Sequence, residues 1–300
     1  MKKYISMLIL LVLLFFMINT SFDVRRGSFV KAAGETIIEN DLFYIEISDG
    51  VTYNRNIENI VTAFFESIEE TTGLRFYPEY HGGEYDKIRI FLGDTSILSH
   101  PAGYSSYGNS EGAFINLAAI SKNETLASQD YFYRELLHEM VHCLQLRNGY
   151  IPSRMFAEGH AELTARHIYR NYNPRYAPIC FFSYSVKGEL EKKIFSAKFE
   201  KYFSEMGYIY DVMGGSGIHS GGDIFGVYIS KEFGVNYYSH LLRGFFELNL
   251  PGQSDVDSYE FGLYQAEFIR HIKHETSENV FADFVSWYWE YAAQCECDFC

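Results

Sequence analysis

Apolar and polar side chains alternate along this chain with two different periods, and the changes between them mark out its elements. Residues 42–47 alternate two by two, the period of a half-buried strand. The period then lengthens. Ile57, Ile60, Val61, Phe64, Phe65 and Ile68 share one side of a helix that Gly73 stops. Residues 87–92 read as a strand ending at Gly93-Asp94, residues 104–110 as a polar turn region, and residues 112–117 as another strand. Leu137, Met140, Val141 and Leu144 recur at i, i+3, i+4 and i+7, a single apolar helical stripe, with Ser128 as the expected N-cap and Gly149 and Pro152 as the stop. A second helix is expected over 152–170, and further helices over 190–206, 223–233, 235–246, 259–273 and 278–291. There is no internal repeat. The pattern predicts an α+β fold: a small mixed sheet with helices, then a mainly helical second half. The expected divisions are an N-terminal α/β subdomain over 33–125, a pair of helices over 126–172, a helical subdomain over 173–294 and a short tail over 295–300.

The polar positions beside the stripe carry the chemistry. His138-Glu139-Met140-Val141-His142 places two imidazoles four residues apart. On a helix that means one face and a separation of about 5–6 Å, close enough to share a metal ion. Glu139 lies about 100° around the helix from His138, beside such an ion, where a carboxylate can take a proton from an activated water. Hydrolytic zinc centres usually combine three protein ligands with one open position. Glu158, in Phe156-Ala157-Glu158-Gly159-His160-Ala161-Glu162, is the natural third ligand. Glu162, four residues on and on the same face, is expected to accept a ring N–H from a ligand histidine. Gln145 falls on the same stripe as His138 and His142.

Together, His138-Glu139-x-x-His142 and Phe156-x-Glu158-Gly159-x-Ala161-Glu162 resemble the gluzincin metallopeptidases of the thermolysin-like superfamily. That broad group includes aminopeptidase N, the glycyl aminopeptidases, the bacterial collagenases and the plant-type basic secretory proteins. The resemblance spans about residues 42–250, with its motifs confined to 138–162. Met155-Phe156 and Leu163 replace the aromatic and Tyr usual in the group, and the fifteen-residue gap is short. The resemblance implies a zincin-like domain with its cleft between the two halves, and one zinc ion per chain held by His138, His142 and Glu158. It also implies Glu139 as base and a peptide or protein as substrate. The last strand before the metal helix edges the cleft in that group, so Gly112, Ala113 and Phe114 are expected to bind an extended peptide by strand addition. A Tyr or His must stabilise the oxyanion. In the glycine-rich run 207–222, His219 is the first candidate and Tyr210 the second. The Gly-x-Met-Glu-Asn segment of aminopeptidase N relatives is absent, and Ser110-Glu111-Gly112-Ala113 does not supply it, which favours an endopeptidase.

Composition narrows the setting. Met1-Lys2-Lys3 followed by an apolar run over 5–18 reads as a secretory leader, too short for a comfortable membrane span. Cleavage is expected after Ala32 or Ala33, giving a secreted protein; the alternative is an uncleaved membrane anchor. The chain has 25 Lys and Arg against 39 Asp and Glu, a net charge of −14. Losing residues 1–32 removes five bases and one acid, which leaves 20 against 38 and a charge of −18. Such acidity argues against nucleic-acid and anionic membrane partners. Of five cysteines, Cys143 and Cys180 are isolated, while Cys295, Cys297 and Cys300 form a terminal cluster able to bind a metal, pair, or stay as plain thiols. His160, His167, His271 and His274 have no third partner in the pattern and are expected to be packed or solvated. The competing reading is a non-catalytic surface-binding protein on the same scaffold.

Overall fold

The computed structural model describes residues 29–76, 87–93, 106–108, 112–116, 126–149, 154–173, 217–234, 236–248, 258–287 and 290. Among these, seven strands precede six of the seven helices, an α+β arrangement. The strands are β1 (Phe29–Lys31), β2 (Thr36–Glu39), β3 (Phe43–Ile47), β4 (Thr52–Asn54), β5 (Ile88–Gly93), β6 (Ser106–Gly108) and β7 (Gly112–Asn116). The helices are α1 (Ile57–Thr72), α2 (Leu126–Asn148), α3 (Arg154–Tyr172), α4 (Gly217–Phe233), α5 (Tyr237–Glu247), α6 (Ser258–Glu275) and α7 (Val280–Trp287). None of these helices is long and apolar enough to cross a membrane.

β1 and β4 form an antiparallel pair, and the other five strands form one mixed sheet in the order β2-β3-β5-β7-β6. β3, β5 and β7 run parallel, with Phe43 opposite Ile88 and Arg89 opposite Gly112. The outer strands β2 and β6 run antiparallel to their neighbours. Ile88, Ile90 and Leu92 are fully buried, as expected for a central strand.

Two expectations change here. The turn region 104–110 contains β6, whose Ser106 pairs with Ile115 of β7. β7 is consequently not a sheet edge: Ala113 and Phe114 lie between β5 and β6, Gly112 is paired with β5, and the strand bonding that end of the sheet from outside is β6. Backbone paired on both sides at Ala113 and Phe114 leaves no free ladder there for strand addition of a peptide. β1 bonds to β4, and buried Ala32 both donates to Val51 and accepts from Gly50.

Two hydrophobic cores flank α3. The first lies between the sheet and α1, α2 and α3, and every predicted apolar position of α1 is buried in it. The second gathers Phe225, Tyr238, Phe245, Phe268 and Phe281 from α4 to α7 around Phe156, the hub, whose ring meets Phe225 at 5.0 Å and Phe268 at 5.1 Å. α3 serves both, giving Ala161, Ala165, Ile168 and Tyr169 to the first and Phe156 to the second. α2 starts by Leu126, so Ser128 lies inside its first turn rather than capping it. At its other end Gly149 takes φ 153°, a backbone angle that favours glycine, and bonds back to Gln145. Residues 190–206, Cys180 and the cysteines of 295–300 lie outside the described residues.

Candidate metal centre

α2 and α3 form an antiparallel hairpin, and the polar residues of each follow a helical ladder. On α2 these are Arg134, His138, His142 and Gln145; on α3 they are Glu158, Glu162 and Arg166. Such spacing keeps each set on one face. Opposing faces then meet rung by rung: Arg134 with Glu162, His138 with Glu158 and Glu162, His142 with Glu158. The hairpin is held from behind by Leu136, Leu137, Met140, Val141 and Leu144, all without exposed surface. Asn54 ties α2 to the β4–α1 junction by donating to Tyr133 at 3.2 Å.

Three atoms converge. His138 Nε2 and His142 Nε2 are 3.0 Å apart, and Glu158 Oε2 lies 3.3 Å from the first and 3.2 Å from the second. Four ligands at about 2.0–2.1 Å around a tetrahedral zinc are separated by about 3.3 Å, so this triangle has the dimensions of one tetrahedral face. Among the described residues this trio is the group of side chains that could hold a metal ion.

The rear nitrogens of both rings also fit a cation. His138 Nδ1 lies 3.2 Å from Glu162 Oε2, and His142 Nδ1 lies 2.9 Å from Gln145 Oε1. An ionised carboxylate and an amide oxygen only accept, so each Nδ1 carries the proton. In the neutral form that binds a metal, each ring in that tautomer turns its Nε2 lone pair toward the other ring and toward a carboxylate. A positive charge relieves that opposition, whether a metal ion or a proton taken up by His138. Two imidazoles and a carboxylate are donor types that zinc accepts.

Electrostatics follow from the buried carboxylates. Burial alone would lower the His138 pKa, but its bonds to Glu158 and Glu162 and the charge of Glu139 hold it well above the ordinary imidazole value. Burial would raise Glu162, yet His138, Arg134 and Arg166 keep it well below the usual carboxylate range. Arg134 Nη1 reaches both oxygens of Glu162 at 2.5 and 2.6 Å, and Arg166 Nε reaches one at 2.5 Å. A buried charge so surrounded is paired rather than stranded. Glu139, at 5 % exposure, is buried beside the trio on the same helix. Burial pushes the Cys143 thiol up to about 12, which removes it as a nucleophile despite its place next to His142.

The hairpin thus brings together His138, His142, Glu158 and Glu162, all anticipated from spacing. It adds Arg134 and Arg166, whose signal was their four-residue distance from His138 and Glu162. His160, expected to be merely packed or solvated, is buried and bonded to Gln145 and Ser239. His271 Nε2 donates to the Leu241 carbonyl oxygen at 2.8 Å, and His274 is exposed beside Glu275. Tyr210 lies outside the described residues. The backbone of His219 forms part of the first turn of α4. Phe225 meets the Phe156 ring edge-to-face, Gly226 abuts Leu163, and Ser230 and Lys231 line a cavity with His167 and Arg170. α4 therefore runs alongside α3 in the same sense, which puts its first turn toward the Glu158 end.

Compared with known families and with curated proteins, the chain matches no family model and no individual protein.

Proposed function

We propose that this protein is a secreted zinc-dependent metallopeptidase of gluzincin type, acting as an endopeptidase on a zincin-like scaffold. The observation that carries the reading is the triangle of His138 Nε2, His142 Nε2 and Glu158 Oε2, with edges of 3.0–3.3 Å. Glu139 lies on the same helix. Bound there, a zinc ion would supply Lewis acidity, polarising a scissile carbonyl and making water acidic enough to lose a proton near neutral pH. His138, His142 and Glu158 hold the ion, and Glu162 keeps the His138 ring in its ligating tautomer. Glu139 removes the proton from the attacking water and hands it to the departing amine, the two halves of general acid–base catalysis. His219 is the proposed oxyanion donor, with Tyr210 the second candidate. Strand addition of an extended substrate belongs to β6 rather than β7, since β6 is the outer strand and packs with β7 against the metal helix.

The test combines zinc stoichiometry with cleavage of a denatured protein mixture, for wild type and Glu139→Ala. One zinc per chain in both, with cleavage by wild type alone and a loss of at least a hundredfold in the variant (about 10²–10⁴ for a general base), is expected. Zinc in both and cleavage by neither would favour a non-catalytic binding protein. In the same assay His219→Ala should lower turnover with its zinc retained.

A further inference from the structure

A line of hydrogen bonds leaves His142, crosses α3 and ends on α5. His142 Nδ1 meets Gln145 Oε1 at 2.9 Å. Gln145 Nε2 reaches the Ala157 carbonyl oxygen at 2.9 Å and His160 Nδ1 at 2.9 Å. His160 Nε2 reaches Ser239 Oγ at 3.0 Å. Gln145, His160 and Ser239 are at most 6 % exposed.

One member of the line has no choice of role, and it orders the rest. A backbone carbonyl only accepts, so the Gln145 group facing Ala157 is its NH2, and its oxygen faces His142. His142 Nδ1 must then be the donor, leaving its Nε2 lone pair toward Glu158. The second N–H of the amide makes His160 Nδ1 an acceptor, so His160 is the Nε2–H tautomer and donates to Ser239. Burial, reinforced by His142 nearby, pushes His160 down to about 3, consistent with a neutral ring in that tautomer.

We propose that Gln145 is the positioning residue for His142, and that His160 and Ser239 hold Gln145 in that role. The metal affinity of the α2–α3 hairpin is then set in part from α5, in the second core. This inference rests on the zinc reading above. A glutamine suits the post better than a carboxylate. Glutamate could accept from His142, but it would face the Ala157 carbonyl and the His160 lone pair with no proton to give either.

The experiment uses the zinc-loaded full chain, with zinc affinity from chelator competition and the His142 ring protons followed by 15N-edited NMR. Gln145→Ala should weaken zinc binding about 10–100-fold, the usual cost of removing a partner behind a ligand, and lose the slowly exchanging His142 Nδ1–H signal. His160→Leu should weaken binding about tenfold. His160→Asn, whose Oδ1 can take the Nδ1 place and accept from Gln145, should restore most of that loss. A purely structural role for His160 would lower the melting temperature of both variants and leave the ring signal alone. Ser239→Ala removes a single hydroxyl and should shift the same signal should His160→Leu fail to fold. Wild type binding zinc tightly, with Gln145→Ala within twofold of it and the signal intact, would overturn this proposal and leave the metal centre standing. Wild type binding no zinc would overturn the metal reading, and this inference with it.

Discussion

Tyr133 points its hydroxyl into the core between α1 and α2, where Asn54 donates to it. Burial pushes its pKa up to about 12, and the Asn54 bond only partly opposes this. The folded state therefore keeps the phenol proton in a range where the unfolded chain, at about 10, has begun to lose it. The sign follows: this stabilisation is complete below pH 10 and is lost as pH rises through 12. A gap of two units corresponds to about 3 kcal/mol at most. Tyr133→Phe should cost about 1 kcal/mol at pH 8 through the lost Asn54 hydrogen bond and should flatten the fall in stability between pH 10 and 12. Tyr228, also pushed up to about 12, accounts for some of the remaining slope. Urea midpoints at pH 8 and pH 11 for both proteins check this; an unchanged difference between the two pH values would refute it. Single residues of this kind are hard to foresee in a sequence. The candidate ligands His138, His142 and Glu158 stood out in the sequence because a metal demands fixed residue types at helical spacing. Arg134, Gln145 and Ser239 act across elements, and their partners are settled by how α2, α3 and α5 pack.

Among the elements, α3 carries the heaviest double duty, because one helix supplies Glu158 to the metal trio and Phe156 to the second core. Phe156 sits at 1 % exposure among rings from α4, α6 and α7, and its carbonyl accepts from Tyr238 at 3.1 Å. Phe156→Ala should cost about 3–5 kcal/mol through the cavity it leaves. It should also weaken metal binding, because the turn bearing Glu158 loses its anchor; Phe156→Leu should recover much of both. Calorimetric melting with and without zinc tests the pair, and a destabilised Phe156→Ala that binds zinc like wild type would separate the core from the site. Long amphipathic elements were legible ahead of the structure: α1 spans the predicted residues, and β3, β5 and β7 fall within one residue of expectation. The strands that escaped were β1, β2, β4 and β6, of three or four residues each. A strand that short shows at most two alternations, and its pairing is decided by a distant partner. β6 hid inside Ser, Tyr and Gly residues that read equally well as a turn.

At the scale of the whole molecule, the proposed metal joins α2, packed in the first core, to α3, which is shared between both cores, so loading it should act on global stability. A ligand that binds only the folded state stabilises by RT ln(1 + [L]/Kd), about 4 kcal/mol at a thousandfold excess over Kd. For a protein of this size about 2–4 °C accompanies each kcal/mol, so zinc should raise the melting temperature by about 10 °C and a chelator should reverse the rise. The carboxylates of Glu139 and Glu158 near His138 sharpen the expectation, since a cation there offsets negative charge within a chain already carrying −14. Glu158→Ala should abolish the zinc-dependent shift, because the ion loses a ligand. Glu139→Ala should keep it, because the base is not a ligand. That contrast distinguishes a metal seated in the His138, His142 and Glu158 triangle from zinc bound loosely to an acidic surface, which would raise or lower all three proteins alike. An equal shift in wild type and Glu158→Ala would place the ion elsewhere, and no shift in wild type would remove the metal from the account.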